Sequence, residues 1–298
     1  MLQCKSLIAI TGGLAIGLMM TAPAQAVPLV FSGSGANTTT AFNAFRAAIG
    51  GGSRINWDGV RLDGTDANPN TRVIDPGKTV EIPVDRFRNL GAIYEDPYAV
   101  SGDGFASVNP ETAGQFPPFT PNNTFAMFDF DSGQFTDRFI EQSFVLPNTN
   151  IAAGTRGFGA IFVDVEDATS SSIEYFGQSA DGHEISLGKF AVPTGGSGES
   201  QFLGVLFDQP VITNVTLTLG THALFNNDGA STQFQSFGGE DLAAGIDLVV
   251  TDDFVFATPT QVVNVPEPST MLLLLGGFLC VQSRFRGCKP QSDEIPSA

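Results

Sequence analysis

Short apolar or alternating segments, separated by clusters of Gly, Pro, Asn and Asp, run along most of the chain. The clearest alternation is found over residues 215–219, whose period of two is typical of a strand with one buried face. Turn signals such as Asp181-Gly182 separate successive segments. Strands are predicted on these grounds over residues 160–165, 172–176, 202–207, 211–219 and 248–256.

One segment of the body has helical periodicity. Phe42, Phe45 and Ile49 recur at spacings of three and four and are followed by three glycines, so a helix is predicted over residues 39–49. Many short strands without intervening helices indicate a mainly β fold, an antiparallel β-sandwich of the jelly-roll type. A signal helix at the N-terminus and a short hydrophobic helix at the C-terminus are predicted outside this sandwich.

The N-terminus has the layout of a secretory signal peptide. Lys5 precedes an apolar run over residues 7–20, and Ala24 and Ala26 form a small-residue A-x-A site. Cleavage by signal peptidase is therefore expected after Ala26. The alternative is a buried N-terminal helix, which three glycines within the apolar run disfavour.

A second sorting pattern occupies the C-terminus. Pro266-Glu267-Pro268 leads into an apolar run over residues 271–281, with Arg284 and Arg286 beyond it. The run is shorter than the roughly 20 residues that a spanning helix needs, and positive charge beyond it favours a cytoplasmic end. We therefore expect a transient stop in the inner membrane with the folded body outside. A buried core helix or an ordinary tail anchor is the alternative.

The Pro-Glu-Pro motif, the apolar run and the arginines together resemble the PEP-CTERM sorting signal of Gram-negative bacteria. The resemblance covers residues 266–288 and implies recognition by an exosortase, a membrane-embedded transpeptidase-like protease, with cleavage at or near the motif. The family is associated with bacteria that produce exopolysaccharide and form biofilms. Such signals usually stop soon after the arginines, whereas this chain continues to Ala298 and includes Asp293 and Glu294.

These signals divide the chain into parts. Residues 27–258 form the predicted sandwich ectodomain, with a looser first part (27–150) and a strand-dense second part (151–258). The other parts are the signal peptide (1–26), a tether (259–265), the sorting signal (266–288) and a tail (289–298).

A second, weaker resemblance concerns the ectodomain. The strand patterns in it are similar to those of many uncharacterised PEP-CTERM ectodomains, and they imply a fold and no particular activity. The segments that carry this resemblance are residues 55–59, 157–165, 174–176, 202–205 and 252–256.

Charge and composition narrow the classes of function. The chain has 14 basic and 31 acidic residues, a formal charge of −17. An acidic body disfavours nucleic acid and anionic membrane surfaces as partners. All three cysteines lie in the terminal signals, which excludes thiol catalysis and cysteine–zinc sites in the body. The chain has only two histidines, which disfavours a multi-histidine metal site.

Paired carboxylates are the first candidate chemistry. Asp129 and Asp131 are two positions apart, as are Asp164 and Glu166, so each pair would share one face of a strand. Across a cleft, such pairs can act as the acid and base of a glycoside hydrolase. The simpler interpretation is that they are solvated residues on an outer sheet face.

Asp252 and Asp253, at the start of the last predicted strand, are the candidate metal ligands. Hard cations take several oxygen ligands, and in jelly-roll carbohydrate modules a calcium ion often joins the terminal strands at this position. Asp58 or Asp63 would complete the site, and turn-capping carboxylates are the alternative. Apart from this possible structural Ca²⁺, no cofactor is expected.

Sugar-binding surfaces usually employ exposed Trp or Tyr rings. The chain has one Trp and three Tyr against 26 Phe, so Trp57 is the candidate platform and the Phe residues are expected to fill the core. A serine-hydrolase elbow is not supported, because residues 177–181 lack its final glycine.

The residues therefore favour a non-catalytic exported protein with a structural or adhesive role at the cell surface or in the extracellular matrix. Exosortase and signal peptidase would be its partners during export. A lectin-like module for extracellular polysaccharide is the second hypothesis, and an extracellular glycoside hydrolase is the third.

Overall fold

The alternating segments form antiparallel β-structure in a computed structural model, which describes residues 28–65, 71–127, 134–226 and 234–265. The predicted fold class, mainly β with few helices, is confirmed. The predicted signal helix and the predicted C-terminal hydrophobic helix lie outside the described residues. The described residues all belong to one compact unit.

Helices are few and short in the described residues. The predicted helix is α1 (Thr38–Ala48), and single 3₁₀ turns lie at Gly35–Asn37, Arg88–Leu90, Pro110–Thr112 and Leu242–Ala244. None of the helices in the described ranges is long and apolar enough to cross a bilayer.

The strands follow one another closely along the chain. All five segments predicted as strands contain a strand in the structure. The strands are β1 (Leu29–Ser34), β2 (Ser53–Ile55), β3 (Arg72–Asp75), β4 (Thr79–Ile82), β5 (Ala92–Tyr94), β6 (Tyr98–Ser101), β7 (Thr124–Ala126), β8 (Phe139–Phe144), β9 (Gly157–Val163), β10 (Ser172–Gln178), β11 (Glu184–Ala191), β12 (Ser200–Leu206), β13 (Asn214–Thr218), β14 (Phe225–Asn226), β15 (Gln235–Ser236) and β16 (Val250–Phe256).

Two antiparallel sheets contain most of these strands. The larger sheet has the order β1-β12-β9-β16-β7-β6-β4-β3, and β2 also pairs with β16. The smaller sheet has the order β11-β10-β13-β8-β5, and β14 and β15 form a separate hairpin. In the larger sheet β9 and β16 are neighbours, with Val163 opposite Val250 and Phe158 opposite Phe256.

The main core lies between the two sheets. In the smaller sheet, Ile173 and Tyr175 of β10 alternate with more exposed residues, as expected for a strand with one buried face. They pack against aromatic residues of the larger sheet. The ring of Phe158 lies 5.6 Å from that of Phe254 and 6.5 Å from that of Tyr175, in edge-to-face arrangements.

A second core covers the outer face of the larger sheet, where α1 packs on β1 and β12. Phe42 and Phe45 of α1 are buried there against Phe202. The helix can approach closely because Gly204 has no side chain: a Cβ at that position would lie 3.0 Å from the ring of Phe45. Strands β9 and β16 are thus covered on both faces and buried along their whole length.

Residues 259–265, predicted as a tether, run along the body and form hydrogen bonds with it. Gly154 and Thr260 exchange two backbone hydrogen bonds of 2.8 Å, and the N–H of Val265 donates to the carbonyl of Gln178 at 2.7 Å. Val265 is buried. The last described residue before the Pro-Glu-Pro motif is therefore attached to β10 of the smaller sheet.

Replacing Phe158, whose ring joins the two sheets, tests the importance of the main core. Phe158→Ala should lower the free energy of unfolding by about 3–5 kcal/mol, because it removes a fully buried ring and leaves a cavity. The matched control is Phe139→Ala, where 39% of the residue is exposed and the loss should be below about 1 kcal/mol. Urea unfolding measures both, and equal losses would contradict this account of the core.

Candidate metal centre

Three acidic residues, Asp164, Glu166 and Glu240, meet where the central strand β9 ends, and Asp247 lies beside them where β16 begins. Asp164 and Glu166 follow β9, and Asp247 precedes β16. Because β9 and β16 are antiparallel neighbours, the end of one lies beside the start of the other. Glu240 comes from the loop after β15. We call these four residues the carboxylate cluster.

The carboxyl groups of the cluster are close together and withdrawn from water. Asp164, Glu166 and Glu240 each offer a carboxylate oxygen within 4.8 Å of the others. Asp247 is near enough for its charge to act on Glu166 and Glu240. Asp164 and Asp247 are buried, and the other two are half-buried. Like charges at this spacing repel one another, most strongly where water is excluded.

Hydrogen bonds hold two members of the cluster in place. Asp164 accepts from the backbone N–H of Gly198 with Oδ1 and from the side-chain amide of Gln115 with Oδ2. The same amide donates to Oε2 of Glu240 at 3.1 Å, and the N–H of Leu248 donates to that oxygen at 3.2 Å. Asp164 has a φ of 75°, a conformation that non-glycine residues rarely adopt and that recurs at functional sites.

Other oxygens of the cluster have no hydrogen-bond donor among the described residues. Both carboxylate oxygens of Glu166 and Oδ1 of Asp247 are buried in this way. The second oxygen of Asp247 accepts from the N–H of Asp167 at 3.0 Å and from the hydroxyl of Ser170 at 2.5 Å. Within the described ranges, no Lys, Arg or His forms an ion pair with the cluster. A buried carboxylate oxygen without a donor is costly, and binding of a proton or a cation removes this cost.

Protonation of the carboxylates is one way to remove the cost of their burial. Burial, followed by the negative charges of Asp164, Glu240 and Asp247, raises the pKa of Glu166 to about 8. Burial is also the main cause that raises the pKa of Glu240 to about 7, and it raises the pKa of Asp247. Without a cation, this raised pKa favours the protonated form of Glu166 at neutral pH.

A bound hard cation would also remove the cost of burying these carboxylates. Ca²⁺ takes oxygen ligands at about 2.3–2.6 Å, so two ligands on opposite sides of the ion lie about 4.6–5.2 Å apart. Oxygens within 4.8 Å of one another fit around an ion of this size. A set of carboxylates without His or Cys suits calcium or magnesium better than zinc. Within the described residues, no other group of three acidic, histidine or cysteine side chains is this close.

The structure corrects both interpretations of the Asp164–Glu166 pair. The two residues do not share a strand face, because they follow β9 in an irregular segment. They are not on a solvated outer surface either, since Asp164 is 0% exposed and both of its oxygens accept hydrogen bonds. A buried Asp164 gives a sugar no access to a catalytic acid or base. Asp129 and Asp131 lie outside the described residues.

The predicted metal ligands Asp252 and Asp253 lie within β16, at a bulge in its pairing with β9. Arg54 of β2 binds both oxygens of Asp253, through Nε at 2.8 Å and Nη2 at 2.6 Å. Oδ2 of Asp252 accepts from the N–H groups of Phe119 and Thr120 at 2.6 and 3.1 Å. A guanidinium therefore stands at Asp253 where the sequence suggested a calcium ion.

The two N-terminal partners suggested for this pair differ in their positions. Asp58 lies near it, because its charge raises the pKa of both Asp252 and Asp253. One buried oxygen of Asp58 and Oδ1 of Asp252 have no hydrogen-bond donor among the described residues. Asp63 instead accepts from the N–H and hydroxyl of Thr65 at 2.9 and 2.7 Å, in an exposed turn.

Trp57 is buried, so its predicted role as an exposed sugar platform is wrong. Its side chain is part of the main core, and the residue is only 1% exposed. The indole stacks on Phe125 at 3.9 Å with an interplanar angle of 6°. Its Nε1–H donates to the backbone carbonyl of Asp252 at 2.5 Å. Neither face of the ring is available to a sugar.

Glu240, Asp247 and Arg54 were not among the predicted site residues. The sequence held one signal for this site: Asp164 and Asp247 flank the apolar segments that form β9 and β16. Its use requires knowledge that these two strands are neighbours. The sorting-signal residues Ala24, Ala26, Pro266, Glu267, Pro268, Arg284 and Arg286 lie outside the described residues.

Comparison of the chain with protein-family models, with curated proteins and with solved structures finds no match. The assignment of any role to the carboxylate cluster therefore rests on its geometry.

The pH dependence of unfolding tests the state of Asp252. Burial and the charges of Asp253 and Asp58 raise its pKa from 3.8 to about 8. Because the folded state binds the proton more tightly, this stabilisation is complete below about pH 4 and is lost as the pH rises through about 8. Asp252→Asn mimics the protonated group. Its Tm should therefore fall less than that of the wild type between about pH 5 and about pH 9.

The control for this pH series is Glu174→Gln, the same kind of change on β10, where Glu174 accepts from the hydroxyl of Ser186 at 2.8 Å. This variant should keep the pH profile of the wild type. Identical profiles for Asp252→Asn and the wild type would show that Asp252 is ionised throughout this range.

Proposed function

We propose that the chain is an exported, non-catalytic protein with a structural or adhesive role at the surface or in the extracellular matrix of a Gram-negative bacterium. An exosortase would sort it through residues 266–288, after signal peptidase has removed residues 1–26. The mature ectodomain would then be released or held outside the cell.

The observation that carries this proposal is the position of the two sorting patterns, one on each side of the body. Cleavage after Ala26 and near the Pro-Glu-Pro motif would leave residues 27–265, which contain every strand of the described residues. Processing at both positions would therefore remove none of the described strands.

The positions of the aromatic side chains favour a structural role over a lectin-like one. The chain has one Trp and three Tyr, and all four are buried, with exposed fractions of 2% or less. Stacking on Trp or Tyr, the usual way in which proteins hold a sugar ring, is therefore not open to this fold. The jelly-roll connection of its strands stays a prediction.

Truncation after Val265 tests the sorting proposal in a Gram-negative host that produces an exosortase. The full chain should pass through a membrane-bound intermediate and reach the cell surface or matrix. The truncated chain should skip the membrane-bound stage and accumulate in the periplasm or medium. Fractionation with mass analysis of the mature termini measures both, and the N-terminus of both products should be Val27.

The matched control is a chain that lacks residues 289–298, the extension beyond the usual end of such signals. It should be sorted like the full chain. If the chain that ends at Val265 reached the same location through the same intermediate as the full chain, the proposed sorting role of residues 266–288 would be wrong.

A further inference from the structure

We propose that the carboxylate cluster, Asp164, Glu166, Glu240 and Asp247, binds one calcium ion. This inference goes beyond the proposed function, and it concerns the folded body of the purified protein whatever its route of export. The ion would join three segments, namely the end of β9, the loop after β15 and the start of β16.

The first argument is the arrangement of the ligands. Three carboxylate oxygens, from Asp164, Glu166 and Glu240, lie within 4.8 Å of one another. This is no more than the distance of about 4.6–5.2 Å between two oxygens on opposite sides of a calcium ion. Two of these residues are already positioned by hydrogen bonds from Gln115, Gly198 and Leu248. An ion would therefore bind ligands that are largely preorganised.

The second argument is independent of the first and concerns Asp247. This residue is 1% exposed, and its Oδ1 is buried without a hydrogen-bond donor in the described part of the chain. Its other carboxylate oxygen accepts from the N–H of Asp167, the residue next to Glu166, at 3.0 Å, so the carboxylate lies beside the cluster. Both oxygens of Glu166 are likewise buried and without a donor. A cation bound at the cluster would supply the positive charge that Glu166 and Asp247 lack.

The third argument comes from the other buried acidic group of the same protein. At Asp253 the charge is balanced by Arg54, which binds both carboxylate oxygens. At the cluster the protein supplies one neutral amide and backbone N–H groups, and no basic side chain in the described ranges forms an ion pair there. The balancing charge must therefore come from solution.

Calcium suits this site better than magnesium. Magnesium requires ligands at about 2.0–2.1 Å in near-ideal octahedral geometry, which places opposite oxygens only about 4.2 Å apart. Calcium accepts irregular coordination by oxygen ligands, so it suits carboxylates that come from separate segments of the chain better than magnesium does.

Thermal unfolding of the full chain, purified in a mild detergent, tests the proposal. Excess CaCl₂ should raise the Tm by about 5 °C relative to the protein in EDTA, because the ion binds only the folded state. The double variant Glu166→Gln, Glu240→Gln should lose this rise. In EDTA its Tm should equal or exceed that of the wild type, because the amides remove the repulsion between carboxylates.

Two control variants locate the site. Asp252→Asn, in the acidic pair near Arg54, and Glu174→Gln, on β10, should both keep the calcium-dependent rise. Isothermal titration of the wild type should show one calcium ion per chain, and Glu240→Gln alone should weaken binding at least about tenfold. MgCl₂ in place of CaCl₂ should raise the Tm much less.

Several results would overturn the proposal. These are a wild-type Tm that calcium leaves unchanged, a rise that persists in the double variant, and a rise that Asp252→Asn abolishes. An equal response to magnesium would refute calcium as the ion. If the double variant failed to fold, the titration of Glu240→Gln would decide, and unchanged affinity there would contradict the assignment of the ligands.

Discussion

Two carboxylates inside the central strand β16 impose the constraint on which the rest of the structure depends. Asp252 and Asp253 are 0% exposed, although β16 lies between β9 and β7 in the larger sheet. Burial of a charged group is costly unless a partner of opposite charge or several donors accompany it. These partners come from segments far away in the sequence: Arg54 binds Asp253, and the N–H groups of Phe119 and Thr120 donate to Oδ2 of Asp252. The indole of Trp57 donates to the backbone carbonyl of Asp252.

This constraint explains why the N-terminal part of the chain is an integral part of both sheets. Strand β2 must lie beside β16 so that Arg54 can reach Asp253, and Trp57 follows directly with a φ of 60°, which is rare for a bulky residue. The strained backbone persists because the indole is fixed by its hydrogen bond and by stacking on Phe125. The bulge at Asp252 and Asp253 thus joins the last strand to the first half of the chain.

Local features of the fold could be predicted from the sequence, whereas most contacts of the candidate site could not. The five strands and α1 could be predicted because alternation and helical spacing are patterns among residues that are close in the sequence. The partner of each strand is set by contacts between distant segments. The proximity of Asp164 to Glu240 and Asp247 therefore could not be predicted from the sequence. Trp57 was misjudged for the same reason, since the ring that covers it, Phe125, lies 68 positions further along the chain.

Asp253 and the carboxylate cluster differ in what balances their charge, and this difference would matter if the body is exported as proposed. The Arg54–Asp253 pair is complete within the chain and needs nothing from solution. The carboxylate cluster holds protons or a cation that the surroundings supply. Calcium sites of extracellular modules bind with Kd values of about 10⁻⁴–10⁻³ M, so they remain empty at the far lower free calcium levels that cytosolic sensors detect. A site of this strength at the carboxylate cluster would stabilise the junction of β9 and β16 only where free calcium is at extracellular levels. If the body is exported as proposed, Arg54 would hold the strand pair at its bulge from the moment of folding, and an ion acquired outside the cell would hold it where β9 ends.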